Sequence, residues 1–209
     1  MKKAASCVLL ALLAGPVWAG DAWVADYAIQ DAKGERTLVL VRDENRVEYR
    51  ISGEAPRIWR RLQDGVEMRE LHPQEKRVVT YSPGDLRTLG MPTEWELLAG
   101  IVEPGLRTRL SMQDGAKVFG QPSVRYTGAD AQGNKVILDW LAGASLPVRY
   151  CVGGQRAAKR GAGDGLRLRS LKQVPAEQAF SSEEGLLEID QADLGDMEMD
   201  PVVRHMTHG

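Results

Sequence analysis

The chain has 209 residues, a formal net charge of −2, 43% apolar residues and 27% charged ones. That balance excludes a disordered polyelectrolyte and gives no sign of nucleic-acid binding, which calls for a strongly basic face. Two cysteines exclude a disulfide-stapled scaffold, and the length suits one core of its own.

Lys2-Lys3, the apolar run from Val8 to Ala14 and the segment Val17-Trp18-Ala19 form the pattern of a secretory signal peptide cut after Ala19. The apolar run is shorter than the roughly 20 residues a spanning helix needs. Cleavage would remove Lys2, Lys3 and Cys7, taking the formal charge from −2 to −4 and leaving Cys151 as the remaining thiol. One thiol makes no internal disulfide, although an exported compartment would allow one. The expectation is a soluble, periplasmic product with a buried, inert Cys151.

In Asp21 to Gln30, Trp23, Ala25, Tyr27 and Ile29 alternate with Val24, Asp26, Ala28 and Gln30, which favours a first hairpin strand ended by Asp31-Ala32-Lys33-Gly34. Short strands then follow over Thr37–Val41, Val47–Ile51, Arg57–Leu62, Val66–Leu71 and Arg77–Tyr81, with Asp43-Glu44-Asn45, Asp64-Gly65 and His72-Pro73 between them. Their polar partners are mostly Arg and Glu, so one face meets water and the other a core, as in an antiparallel sheet.

Pro83-Gly84 ends this meander, and Asp85 caps a short turn to Leu89. Pro92-Thr93 opens a helix carrying Trp95, Leu98 and Ala99, Pro104-Gly105 stops it, and Leu106 to Met112 suggests another helical segment. This block, Asp85 to Met112, should cover one face or the open mouth of the sheet. Strands resume at Val118-Phe119, Val124–Thr127, Val136–Leu141, Leu146–Val152, Leu166–Leu171 and Leu186–Ile189. About ten or eleven strands are too many for a flat sheet, so the expected fold is mainly β: a curled antiparallel half-barrel with a short helical plug and a C-terminal helix.

The order of elements, with Tyr81-Ser82-Pro83-Gly84, Gly120-Gln121-Pro122-Ser123-Val124-Arg125-Tyr126, Val136-Ile137-Leu138-Asp139-Trp140 and Leu146-Pro147-Val148-Arg149, resembles the periplasmic lipoprotein-carrier superfamily of Gram-negative bacteria (LolA/LolB-like). The resemblance implies an incomplete barrel over residues 20–190 that binds acyl chains in its concavity. The chain departs from the carriers at its start, where Gly20 to Gln30 reads as a strand and not as an amphipathic lid helix. The same scaffold serves lipid binders and sensor domains, so an envelope-protein interaction module is the alternative.

Trp59, Met68, Tyr81, Trp95, Phe119, Tyr126, Trp140 and Tyr150, with Trp23 and Tyr27, are the candidates to line a cavity for a lipid or acyl chain, or else to fill a core. The acidic tail, residues 191–209, gathers Met197, Met199, His205, Met206 and His208. Thioether and imidazole ligands suit copper, and a terminal helix over Asp193–Met206 packed through Leu194, Met197, Val202 and Met206 is the alternative. Arg149, Arg156, Lys159, Arg160, Arg167, Arg169 and Lys172 form a basic block, and the acids of Glu177 to Asp200 are expected to fold back along it. The Gly153–Gly165 loop lacks the Gly-Lys-Ser/Thr ending of a phosphate loop. His72, His205 and His208 sit in no nucleophile or zinc-protease pattern, so neither catalysis nor a cofactor is expected.

Overall fold

A computed structural model describes residues 20–31, 34–153 and 165–208, without the side chains of residues 31 and 205–208. The leader reading and the Arg156, Lys159 and Arg160 part of the basic loop therefore lie outside the described residues. The first meander comprises β1 (Asp21–Asp31), β2 (Gly34–Arg42), β3 (Arg46–Ile51), β4 (Arg57–Leu62), β5 (Gly65–His72) and β6 (Arg77–Tyr81). Helices α1 (Pro83–Thr88), α2 (Trp95–Gly100) and α3 (Leu106–Arg109) follow. The second meander is β7 (Ser111–Asp114), β8 (Val124–Ala129), β9 (Lys135–Leu141), β10 (Leu146–Val152) and β11 (Gly165–Pro175). The chain ends with α4 (Ala176–Ala179), β12 (Leu187–Asp190), a 3-10 turn (Gln191–Asp196) and α5 (Pro201–His208).

The strands form one open sheet in the order β12-β6-β5-β4-β3-β2-β1-β11-β10-β9-β8-β7. The two long central strands, β1 and β11, pair antiparallel and join the meanders. A register shift at Asp26/Tyr27 of β1 and another at Pro147/Arg149 of β10 sit near the middle of the sheet. Bulges of this kind increase local twist, and with twelve strands in one sheet they produce the curled half-barrel.

Alternation assigns the faces. Tyr27, Leu38, Leu40, Val47, Leu146 and Leu168 form one inner cluster, Trp59, Met68, Val79 and Tyr81 a second, and Leu138 and Trp140 a third. The helices cover all three: Leu86 and Leu98 pack on the second, Trp95 and Ala99 on the first, and Val102 and Leu106 on the third. Each helix is too short to hold itself together in water. For α1 a capping box helps, with the Asp85 N–H donating to Ser82 Oγ and the Ser82 N–H to Asp85 Oδ2.

On the outer face the segment after β11 crosses the sheet as a strap. Ala176, Ala179 and Phe180 pack on Ala22, Val24 and Val41, and Leu186 on Ile58, Leu71 and Val78. Between these apolar ends the fully buried Glu48 accepts from Arg50 Nε (2.8 Å) and Nη2 (2.7 Å) and from the Ser181 N–H (2.9 Å). Glu183 then takes Arg60 and Arg69, and Glu188 takes Arg69.

Five expectations change. The segment after Pro104-Gly105 is helical only to Arg109, because Leu110 turns extended and Ser111–Asp114 pairs with β8, satisfying backbone groups of that edge. Val118-Phe119 makes no strand. Val118 and Gln121 instead exchange N–H···O bonds of 2.9 and 3.0 Å around Phe119 (φ 50°) and Gly120 (φ 76°), a type I′ reversal. β12 adds to β6 in parallel, because the strap carries the chain across the sheet before it pairs. The tail splits into a 3-10 turn and α5 at Pro201, with Asp200 capping Val202 N–H at 2.9 Å. The acids of Glu177 to Asp200 meet Arg60 and Arg69, through Glu183 and Glu188, and Arg77, through Asp200 at 3.0 Å; the block at Arg149–Lys172 is not their partner among the described residues.

Glu70 of β5 receives Arg57 Nε at 2.9 Å and lies 3.1 Å from His72 Nε2. Burial pushes the Glu70 carboxyl up, but the His72 and Arg57 hydrogen bonds outweigh it and hold the group below its usual range. A carboxyl with a lowered folded pKa contributes stability that is present above its unfolded value of about 4.3 and lost as pH falls through the folded one. Glu70→Gln should therefore cost about 1–2 kcal/mol at pH 7, with the deficit shrinking below about pH 4 in urea titrations. Glu48→Ala, which strands Arg50 and the Ser181 amide, should cost about 3 kcal/mol at neutral pH in the same measurement.

Candidate ligand groove

The inner-facing phase of β2 runs Leu38, Leu40, Arg42, which places a guanidinium where the next apolar side chain would sit. Arg42 uses it on three carbonyls: Nη1 donates to Ala99 O (2.6 Å) and Ser145 O (3.3 Å), and Nη2 donates to Ala144 O (2.5 Å). One side chain thus joins β2, the last turn of α2 and the β9–β10 turn. Burial lowers the Arg42 pKa, while the neighbouring Tyr27 and Tyr49 push it back up. An arginine keeps its charge under such a shift.

Tyr49 supports the same helix end by donating its hydroxyl to Leu98 O at 2.7 Å, and Tyr27 donates to Pro147 O at 3.0 Å. Burial raises the pKa of both phenols, so each stays a donor. Beyond α2 the chain turns through Ile101 with φ 66°. A β-branched residue rarely takes this left-handed conformation, which costs about 1–3 kcal/mol. The carbonyl bonds and the packing of Ile101 on the first inner cluster hold it there.

Between α2, the loop to α3 and the β9–β10 turn lies a groove of about 330 Å³. Its walls are the Trp95 and Trp140 rings with Ala99, Gly100 and Val102, and its rim carries Arg42, Asp43, Glu96 and Arg107. Gly100 lies against the Trp140 ring, where an added Cβ would sit in ordinary van der Waals contact at 3.6 Å. The Arg107 guanidinium stacks 4.2 Å from the Trp140 centroid, and Arg61 lies 5.8 Å from that of Trp95.

The sequence-predicted cavity residues divide. Trp95 and Trp140 meet in the groove. Tyr126 and Tyr150 pack half-buried beside Trp140. Trp59, Met68 and Tyr81 lie under α1 and α2 in the second cluster, where Trp59 meets Tyr49 edge-on with centroids 5.1 Å apart. The Trp59 Nε1–H is buried with no acceptor among the described residues. Trp23 and Tyr27 belong to the first cluster. Phe119 joins none of these, being 50% exposed at the reversal after β7. Arg42, Arg107, Ala99 and Gly100 were not anticipated; an arginine in the apolar phase of a strand was the available signal.

In the tail, Met197 packs against the second cluster while Met199 is exposed, its sulfur accepting from Arg204 at 3.3 Å. The His205 and His208 side chains lie outside the description. Among the described residues no three His, Cys, Asp or Glu side chains gather as a metal site, and no helix is long and apolar enough to cross a membrane.

No family model and no curated protein matches the chain. Solved structures with a similar arrangement include PNGF-II (8% identity, 85% of this chain and 32% of that one, TM-score 0.43). The Pseudomonas aeruginosa MucA/MucB complex is another (10% identity, 78% of this chain and 56% of that one, TM-score 0.46). A third is a domain described as an outer-membrane lipoprotein-sorting protein of Vibrio parahaemolyticus (12% identity, 81% of this chain and 90% of that one, TM-score 0.23). The chain spans about a third of PNGF-II and little more than half of the chain matched in the MucA/MucB complex. At these values the likenesses assign neither family nor ligand.

Because Arg42 is the shared donor for three carbonyls, Arg42→Met, which keeps the aliphatic stem, should cost about 2–3 kcal/mol in a urea titration. Equal stability of the variant would mean that packing alone seats the helices.

Proposed function

We propose that this protein is a non-catalytic, exported binding or carrier protein that holds an apolar chain, such as a lipid tail or a lipoprotein acyl chain, against its inner face. The observation that carries this reading is the groove of about 330 Å³ between the indoles of Trp95 and Trp140, which opens beside the apolar inner clusters. Its volume lies within the roughly 300–1,000 Å³ of ligand sites, and apolar walls with a few polar rim groups are their usual character. Binding would draw on removal of apolar surface from water, at roughly 25 cal/mol per Å².

The helices over the inner face act as a lid. They have six, six and four residues and are seated by a handful of tertiary contacts, so local opening costs less than unfolding the sheet. Displacing them would lengthen the groove toward the second cluster, where the Trp59 N–H awaits an acceptor. The element order that resembles the lipoprotein carriers, and the leader that implies periplasmic export, agree with this reading.

A second reading, docking of an envelope protein, is favoured by one feature. β7 forms the open edge of the sheet with all four residues exposed, Met112 is 71% exposed, and Phe119 sits beyond it in a left-handed conformation. Exposed edges recruit extended peptides as added strands.

Native mass spectrometry of the full chain, exported to a periplasm and purified without detergent, separates these. The carrier reading expects a bound mass in the lipid range that is lost in Ala99→Trp, which fills the groove, with the circular dichroism unchanged. A clean unliganded mass that does not change on adding long-chain amphiphiles would overturn it. A co-purifying polypeptide would support the docking reading.

A further inference from the structure

The outer face carries arginines in number, and most of those on the first meander meet carboxylates: Arg50 meets Glu48, Arg60 meets Glu183, and Arg69 meets Glu183 and Glu188. The second meander breaks this pattern. Arg149 of β10 stands directly opposite Arg167 of β11. Like charges facing each other across strands are destabilising. The cross-strand neighbour of Arg149 on its other side is Asp139, but both oxygens of that carboxylate are taken by Arg125, at 2.6 and 2.9 Å. The polar contact Arg149 makes among the described residues is to Cys151 Sγ, at 3.4 Å. Arg167 has no ion-pair partner among them.

A third arginine is brought to the same place by the sheet's central irregularity. Tyr27 pairs with Leu168 and Asp26 with Ser170, so Arg169 falls in the bulge between them. Bulges re-aim the side chains they contain. Arg169 reaches Glu35 at 2.5 Å, but this pair is solvent-exposed, and pairs of that kind hold weakly and exchange readily. The three arginines line one pocket of about 450 Å³ together with Ala28, Gln30, Glu35, Cys151 and Gly165.

We propose that this outer-face pocket is a second, separate binding site, in which Arg149, Arg167 and Arg169 hold a phosphate group borne by a small ester or a lipid headgroup. The charge decides the class. Two uncompensated guanidiniums match a doubly charged tetrahedral oxyanion, whereas a single carboxylate would leave a positive charge over. Guanidinium forks also bind phosphate oxygens two at a time. The volume exceeds that of the anion alone, which leaves room for what the phosphate is attached to. An unpaired arginine couple in the middle of a sheet is kept at a cost to stability, as binding sites commonly are. The site is on the opposite face from the groove and stands or falls without it.

The test uses the full exported chain in a low-salt buffer free of phosphate. Inorganic phosphate and glycerol 3-phosphate are titrated by calorimetry, and vesicles of phosphatidylcholine with and without phosphatidic acid, whose headgroup is a phosphate monoester, by co-sedimentation. Saturable binding of the soluble phosphates supports a free ester as ligand, and binding to the phosphatidic acid vesicles alone supports a headgroup. Either must weaken about tenfold in Arg167→Gln, and further in Arg149→Gln/Arg167→Gln. Without ligand, the same variants should melt at or above the wild-type temperature, because they remove a repulsion. Absence of saturable binding in every arm would overturn the proposal. So would binding unchanged in the variants, or variants that melt well below wild type, which would make these arginines structural.

Discussion

The arrangement around the groove depends on one half-buried cation, Arg42. Arg42 ends β2 in the phase that otherwise feeds leucines into the core, and its guanidinium is neutralised by no carboxylate among the described residues. It is solvated instead by three backbone carbonyls from two separate parts of the chain. Those carbonyls belong to the end of a six-residue helix and to a tight turn, both of which would otherwise leave acceptors facing apolar surface. The bargain is mutual: the carbonyls replace the water that the guanidinium lost, and the guanidinium fixes how far the helix stands from the sheet. Trp95, Gly100 and Trp140 are spaced by that distance, so the groove between them follows from it.

A twelve-stranded sheet has two faces to cover, and this chain covers them by different means. Inside, apolar helices lie on apolar strands. Outside, a strap runs across the first meander and mixes apolar anchors at its ends with a charged seam between, centred on the buried Glu48. The strap stops at β6, where β12 pairs in parallel and becomes the edge strand. On the second meander the strap touches Val174, at the end of β11. The free arginines and the exposed β7 edge both lie on this meander, so what binds at the surface is expected on that half of the molecule.

Much of the fold was legible in the residues because alternation and turn chemistry are local. Trp23 to Gln30 announced the phase of β1, Pro83-Gly84 marked the start of the helical block, and Pro104-Gly105 separated its last two helices. What was not legible depended on distant partners. Ser111–Asp114 is a strand because β8 offers an edge, and β12 is parallel because the strap delivers it to β6 from the far side. The site was legible only in part. Trp59 and Trp140 are alike as letters, yet one is buried under the lid and the other walls the groove, a difference set by which helix lies above each. Phe119 looked like a cavity residue but occupies a left-handed turn position facing solvent. Arg149 and Arg167 read as members of a charged surface until the register set them face to face.

The central claim is that the helices form a lid that opens while the sheet stays intact. Native-state hydrogen exchange across a low-denaturant series measures this directly, because it gives each amide its own opening free energy. The account predicts that Leu98, Ile101 and Leu106, whose amides bond within the lid, exchange through an opening well below the global unfolding free energy, while central amides of β1, β2 and β11 exchange only through global unfolding. If the lid amides merge with those of the central strands at every denaturant concentration, the lid does not open on its own, and the carrier mechanism is wrong.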